Sequence, residues 1–276
     1  MKPKMKTRTP VEKDWDAFAV LAASEGWRVP ALERKMFNSC WRQSARVIVD
    51  GGVFCGMVTA VAHERSGWIG NLIVPADRRG CGYGSRLFAE AVAALQRQDL
   101  ASLWLTASAM GQPLYEKAGF EVVDRIERWV LPPRTEAKLP AVSGDADNGL
   151  MARFDRKAWG EDRCNLLAAL SSDSRLVSGR NTVALLQKDP DLQVVGPWYS
   201  TGEDPVAQRQ LLLQIVALVD PLIETIIDLY GSSGLQKLLS ECGFEQAGEN
   251  ALMVLGDRDG IDQNMMVALA SLGSIG

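Results

Sequence analysis

Residues 75–88 read PADRRGCGYGSRLF, with glycines at 80, 82 and 84, two arginines before them and an apolar helical pattern behind them. Glycine reaches φ > 0 and lets a ligand approach the backbone, so such a loop leaves its amide N–H groups bare. A helix start directly after the loop adds roughly half a positive charge. The stretch predicts an anion-holding turn between a strand, NLIVP at 71–75, and a helix, SRLFAEAVAALQRQ at 85–98. It is not a Walker loop, because the lysine that reaches a terminal phosphate is missing. Nor does it fit a dinucleotide fingerprint, since its glycines alternate and the strands before it read as antiparallel.

Working outward, helices are expected at 14–25 and 31–41, strands at 46–50 and 54–63 around the turn Asp-Gly-Gly, and a strand at 67–75 ahead of the loop. A strand at 102–107, a short helix at 111–118 and two strands, FEVVD and ERWVL, follow. The proline-rich, then small and polar run PPRTEAKLPAVSGDADNG at 132–149 reads as a linker, which divides the chain into 1–140 and 141–276. The second part echoes the first. LYEKAGFEVVDRIERWVL ends at Leu131 and LLSECGFEQAGENALMVL at Leu255, with Gly119 and Gly243 separated by 124 positions; Gly70 can be laid over Gly196, and LFAEAVAAL over QIVALVDPL. Under that alignment the glycine loop faces DPVAQRQ, which has no glycine, so only the first part can cradle an anion.

Composition narrows the partners. With 276 residues, 47% apolar content and a net charge of −4, the chain can build two cores and lacks the basic footprint of a nucleic-acid binder. Five cysteines without a Cys-x-x-Cys pair give no zinc or disulfide pattern, and no uninterrupted apolar span suits a bilayer, so a cytoplasmic protein without metal, nucleic acid or membrane partner is expected. GDRDGIDQN at 256–264 lacks the ligand order of a calcium loop. The apolar tail after it, MMVALASLG, is expected to cover a hydrophobic face of its own chain or of a second copy in a homodimer.

NLIVP, RRGCGYGSRL and LYEKAGF, in that order, resemble the GNAT superfamily of acyl-CoA-dependent N-acyltransferases. FDRKAWGEDRCNLLAAL, VVGPW and the second Cys-Gly-Phe segment extend the likeness over about 10–256, to a subgroup whose C-terminal GNAT-like domain is degenerate. The resemblance implies tandem α/β (α+β) folds, each a mixed, mostly antiparallel sheet flanked by helices. It puts the family's Arg-x-x-Gly-x-Gly pattern on Arg79, Gly82 and Gly84, and makes Gly80, Cys81, Gly82, Tyr83, Gly84 and Ser85 the cradle of the CoA pyrophosphate. Leu72, Ile73 and Val74 match the strand that pairs with the pantetheine arm, and Ser108 stands where many relatives carry a cofactor-binding asparagine.

Tyr115 falls where many relatives place the phenol that protonates the departing thiolate. A phenol with a reference pKa near 10 is protonated at neutral pH, as a general acid must be. The strand position that carries a basic glutamate in some relatives falls near Gly70 or Asn71, neither of which can take a proton, so a water relay is expected as base. Acceptor contacts are expected from Glu25 and Trp27 in the first helix-to-helix loop, from Asn71, and from Trp198 and Asp228 of the second part, with Asp155 and Asp162 as weaker candidates. The lone histidine, His63, reads as a solvated turn residue. The function expected is acetyl transfer from acetyl-CoA to a primary amine of a small molecule; the rivals are a non-catalytic CoA-binding module and a protein lysine acetyltransferase.

Overall fold

The computed structural model describes residues 5–39, 41–134, 148–172, 174–202 and 204–276. Its first half runs β1 (Lys6–Arg8), α1 (Glu12–Ser24), α2 (Ala31–Asn38), β2 (Ala45–Asp50), β3 (Val53–Ala62), β4 (Ser66–Ile73), α3 (Tyr83–Gln96), β5 (Ser102–Ala107), α4 (Gln112–Glu116) and β6 (Glu121–Leu131). The second half runs α5 (Asn148–Trp159), α6 (Cys164–Ser171), β7 (Ser174–Gly179), β8 (Thr182–Lys188), β9 (Leu192–Ser200), α7 (Pro205–Leu218), β10 (Glu224–Tyr230), α8 (Gln236–Glu241), β11 (Glu245–Gly256) and β12 (Met266–Ala268). The two strands expected after α4 are one continuous strand, β6. The division at residue 140 lies outside the described residues.

All twelve strands join one mixed, mostly antiparallel sheet in the order β1-β2-β3-β4-β5-β11-β6-β10-β12-β9-β8-β7. The order contains an exchange: β11, from the second half, lies between β5 and β6, while β6 pairs on its other side with β10. Each half therefore completes its sheet with a strand of the other, β11 beside β5 and β6 beside β10. The β6–β11 ladder is symmetric under that exchange, since Glu245 faces Val130 and Glu121 faces Val254, residues 124 positions apart in each case. The repeat seen in the sequence is a two-fold in the structure. Helix α7, however, occupies 205–218, so α3 overlies it five residues earlier than the alignment of LFAEAVAAL with QIVALVDPL implies.

Helices α1, α2, α5 and α6 bury Trp15, Phe18, Met36, Phe37, Trp159 and Leu166 in one core that spans both halves. On the opposite face α3 and α4 pack Leu87, Phe88 and Tyr115 over the first half, and α7 and α8 pack Leu211, Ile215 and Leu239 over the second. Trp159 meets Trp68 and Trp104 edge-on at 6.4 and 5.5 Å, and such pairs contribute roughly 0.5–1.5 kcal/mol each beyond burial. Its ring also carries the Arg163 guanidinium, 4.1 Å from the centroid, which bonds Asp155 through two nitrogens at 2.8 and 3.2 Å. Removing one partner of so buried a pair costs about 3–5 kcal/mol. Asp155 is thus buried within the second half on Arg163 and Tyr199 and does not reach the cleft.

The tail after β12 folds back over the first half rather than outward. Trp68 Nε1 and Thr106 Oγ1 donate to the Gly273 carbonyl at 3.1 and 3.3 Å, and Gly70 has no side chain because the backbone of Ser274 lies against it. His63, expected at the surface, is half-buried beside Arg163 and Ile275. Burial first, and then the Arg163 charge, pull its pKa down to about 3, so the ring is neutral.

Candidate active site

Strand β4 pairs in parallel with β5 only from Ser66 to Ile69. Beyond that point the two strands part, because β4 carries a bulge at Asn71, whose φ is +52°, and the register against β3 slips there. The backbone of Gly70 to Ile73 is left without a strand partner on the β5 side. A cleft with a cavity of about 170 Å3 opens in the fork, lined by Asn71, Leu72, Ser108 and Tyr115 from the first half, by Trp27 and Glu33 from α2 and the loop before it, and by the tail at 272–274.

At one end of the fork the chain turns into α3 through the glycine loop. Gly80 and Gly82 have φ of +76° and +85°, and a Cβ on either would meet nothing within 4 Å. Gly82 is the N-cap of α3 and offers no capping side chain. Among the described residues no carbonyl or side chain accepts from the amides of Gly80, Cys81, Gly82, Tyr83, Gly84 or Ser85. Six bare donors around open space form an anion cradle. The equivalent helix of the second half is closed. There Asp204 caps α7 by accepting from the Ala207 amide at 3.0 Å, and Pro205 removes a further donor.

Tyr115 sits at the other end. Its ring packs on Phe88 at 5.0 Å and under Gly111, and burial pushes its phenol up to about 12. Its hydroxyl bonds no described residue, so the proton it carries at neutral pH points at no internal acceptor. Leu239 stands at the matching place in the second half, 124 positions on, and has no hydroxyl to offer.

Not every expected residue reaches the cleft. Glu25 pairs with Arg79 at 2.6 Å, behind the loop, and so serves the cradle rather than an acceptor. Arg79 also donates through Nε to the Val74 carbonyl at 3.1 Å, which fixes the loop's entry. Tyr83 turns its side chain inward to Asp50 and contributes only its amide, and Ile73 is buried in the sheet. Trp198 is fully buried in the second core with Nε1 on Thr182, which places it away from the fork. Asp228 is buried behind the cleft, bound by Arg128 at 2.7 and 2.8 Å; Asp162 caps the Cys164 amide at the surface.

The sequence reading missed Glu33. Its side chain is buried at the wall of the cleft, and its two oxygens accept from Asn71 Nδ2 and Ser274 Oγ, both at 2.6 Å. No cation pairs with it among the described residues. Burial raises its carboxyl above the usual carboxylate range, against the lowering effect of the Ser274 and Asn71 hydrogen bonds. A desolvated carboxylate without a counter-ion is costly and suits a proton acceptor. It stands beside the bulge, where the strand itself has no base. Its signal in the sequence was its position on the apolar stripe of α2 with Met36 and Phe37.

Among the described residues no cluster of three His, Cys, Asp or Glu could hold a metal, and no helix is long and apolar enough to cross a membrane. Residues 39–122 match the family model of the acetyltransferase (GNAT) domain. Two solved structures share the whole fold. One is a protein of Pyrococcus horikoshii provisionally assigned as an acetyltransferase, with TM-score 0.81 and 18% identity over 99% of this chain and 96% of that one. The other is a GCN5-related N-acetyltransferase of Sphaerobacter thermophilus, with TM-score 0.68 and 17% identity over 95% and 98%. A comparison with curated proteins finds no match. The domain model lies across the fork, the glycine loop and Tyr115, so residues 39–122 carry an acetyltransferase (GNAT) domain.

Proposed function

We propose that the protein transfers an acetyl group from acetyl-CoA to a primary amine of a small molecule. The observation that carries this reading is the fork between β4 and β5, with six unpartnered amides at one end and an unpartnered phenol at the other. The amides of 80–85 and the α3 N-terminus suit a pyrophosphate, and the free edge of Gly70 to Ile73 suits an extended amide-bearing arm. When bound, the donor supplies the thioester.

Glu33 takes a proton from the attacking ammonium, directly or through a water. As the nitrogen–carbon bond forms and the carbon–sulfur bond breaks, the Tyr115 hydroxyl gives its proton to the leaving sulfur. The two groups are separated in pKa in the direction the reaction needs, a carboxylate raised and a phenol kept protonated. The second half has no matching cradle and no phenol at the matching place; it lends β11 to the first sheet and, through Asn250 and the tail at 272–274, part of the cleft wall. The absence of a disulfide or metal pattern supports a cytoplasmic setting.

Release of free CoA thiol from acetyl-CoA, measured across a panel of amines, amino acids and peptides, tests the reading. The expected result is release with at least one small amine, reduced by about 10²–10⁴ in Tyr115→Phe with CoA affinity unchanged. Equal turnover in wild type and Tyr115→Phe would remove the phenol from the chemistry.

A further inference from the structure

Part of the cleft wall comes from the β6–β11 ladder, and its chemistry is of the opposite sign to that of Glu33. Arg128 on β6 and Asn250 on β11 both line the cavity. Arg128 is held by a side-on pair to buried Asp228, through Nε at 2.8 Å and Nη2 at 2.7 Å, and Nη2 also donates to the Leu272 carbonyl at 3.2 Å. Those bonds fix the plane of the guanidinium. They leave Nη1 with no partner among the described residues, on a side chain 23% exposed. The carboxamide of Asn250 likewise bonds no described side chain. Two donor groups, of which Arg128 is held in place by its partners, therefore line the same cavity as a carboxylate that lacks a cation among the described residues.

The tail sets the spacing between these two poles. The Leu272 carbonyl accepts from Arg128 and the Ser274 hydroxyl donates to Glu33, so the two charged heads are held by tail residues two apart, whose Cα atoms lie at most about 7 Å from each other. Heads anchored that close together, in a cavity of about 170 Å3, suit a small molecule that carries both an amine and an acid.

We propose that the acceptor is a small amino-carboxylate, with its ammonium at Glu33 and its carboxylate at Arg128 and Asn250. This rests on the amine-acetylation reading above and narrows it. A simple amine would satisfy Glu33 and leave the Arg128 edge dehydrated and unpaired. A peptide amine or a lysine side chain would bring a neutral amide to the same donors. A zwitterion adds no net charge and meets a complementary group at each end. A site built to bond a group rejects analogues that lack it far more strongly than an apolar pocket rejects a missing methylene.

The test uses the full-length protein, acetyl-CoA and the common amino acids, each beside its α-amide and its decarboxylated amine, with free CoA thiol as the readout. At least one amino acid should exceed its amide and its decarboxylated amine by about 100-fold or more in kcat/KM. Arg128→Lys keeps a cation against Asp228 but loses the fixed fork. The double variant Arg128→Gln with Asp228→Asn guards against a misfolded single variant. In either, the KM for the amino acid should rise at least tenfold with kcat changed little, and the preference over the amide should collapse, while CoA affinity measured by calorimetry stays put.

Turnover of amides or plain amines at rates equal to or above those of amino acids overturns this inference and leaves amine acetylation standing. So does an equal loss for amino acid and amide in both variants. CoA binding without thiol release on any amine overturns the amine reading itself, and this inference with it.

Discussion

At the scale of single residues, burial in the cleft raises the pKa of two groups, Glu33 and Tyr115. Glu33 has its pKa raised in the fold, so the folded state binds its proton more tightly than the unfolded chain does. Its contribution to stability is full below the ordinary carboxylate range and is lost as pH rises through the folded value. Glu33→Gln is therefore expected to melt higher than wild type near neutral pH, by about 2–4 °C for each kcal/mol relieved, and to lose that advantage near pH 4. The same variant should lower kcat/KM by about 10²–10⁴ and abolish the acid limb of its pH profile, which lies above the usual carboxylate range in wild type. Parallel thermal melts and rate profiles against pH check both halves of this prediction. For Tyr115, the loss on substitution by Phe should shrink with acyl donors whose thiol is a better leaving group, because less proton transfer is then needed.

Tyr115 was legible because LYEKAGF combines a phenol with a short helix and a Gly-Phe turn. Glu33 was not, because Glu-Arg-Lys inside a short helix reads as a solvated face until its neighbours Met36 and Phe37 are seen to point inward. Asp228 was named from the sequence as an acceptor contact of the second part. Its partner was not, since the residue directly across the ladder is Arg128, a hundred positions away in the chain.

At the scale of elements, the two helix N-termini make the contrast between the halves. Helix α3 opens on Gly82 at φ +85° with bare amides; α7 opens on a carboxylate that caps its own first turn. In Gly82→Val a β-branched side chain would sit in left-handed backbone and project into the space an anion would fill. CoA affinity should fall at least 100-fold in calorimetry, with the far-ultraviolet circular dichroism of the fold retained. Undiminished affinity in the folded variant would take the loop out of the cofactor site. The loop, β4, α3 and β5 were readable in the sequence from period and glycine spacing. The bulge at Asn71 that splays β4 from β5 was not, because a single positive φ on a strand depends on what packs against it.

At the scale of the whole molecule, the repeat was visible in the sequence and its consequence was not. Equal offsets show two copies but do not say which strands pair. The structure has β11 of the second copy bonded to β5 and β6 of the first, so a chain cut in the linker leaves each piece short of a strand inside its sheet. Residues 1–134 and 148–276 expressed separately should each be insoluble or loosely folded, and co-expressed should associate into a CoA-binding complex. A cooperative melt from 1–134 alone would show that the exchange is not required. The cut also removes the tail, whose Ser274 reaches Glu33.

Acyl-CoA chemistry at one site per chain is tested most directly by titrating CoA into the full-length protein in a calorimeter. One mole of CoA per mole of chain is predicted, because only the first half has an open cradle. No saturable binding by the folded protein would contradict the acyl-CoA reading, and two moles per chain would contradict the closed second site.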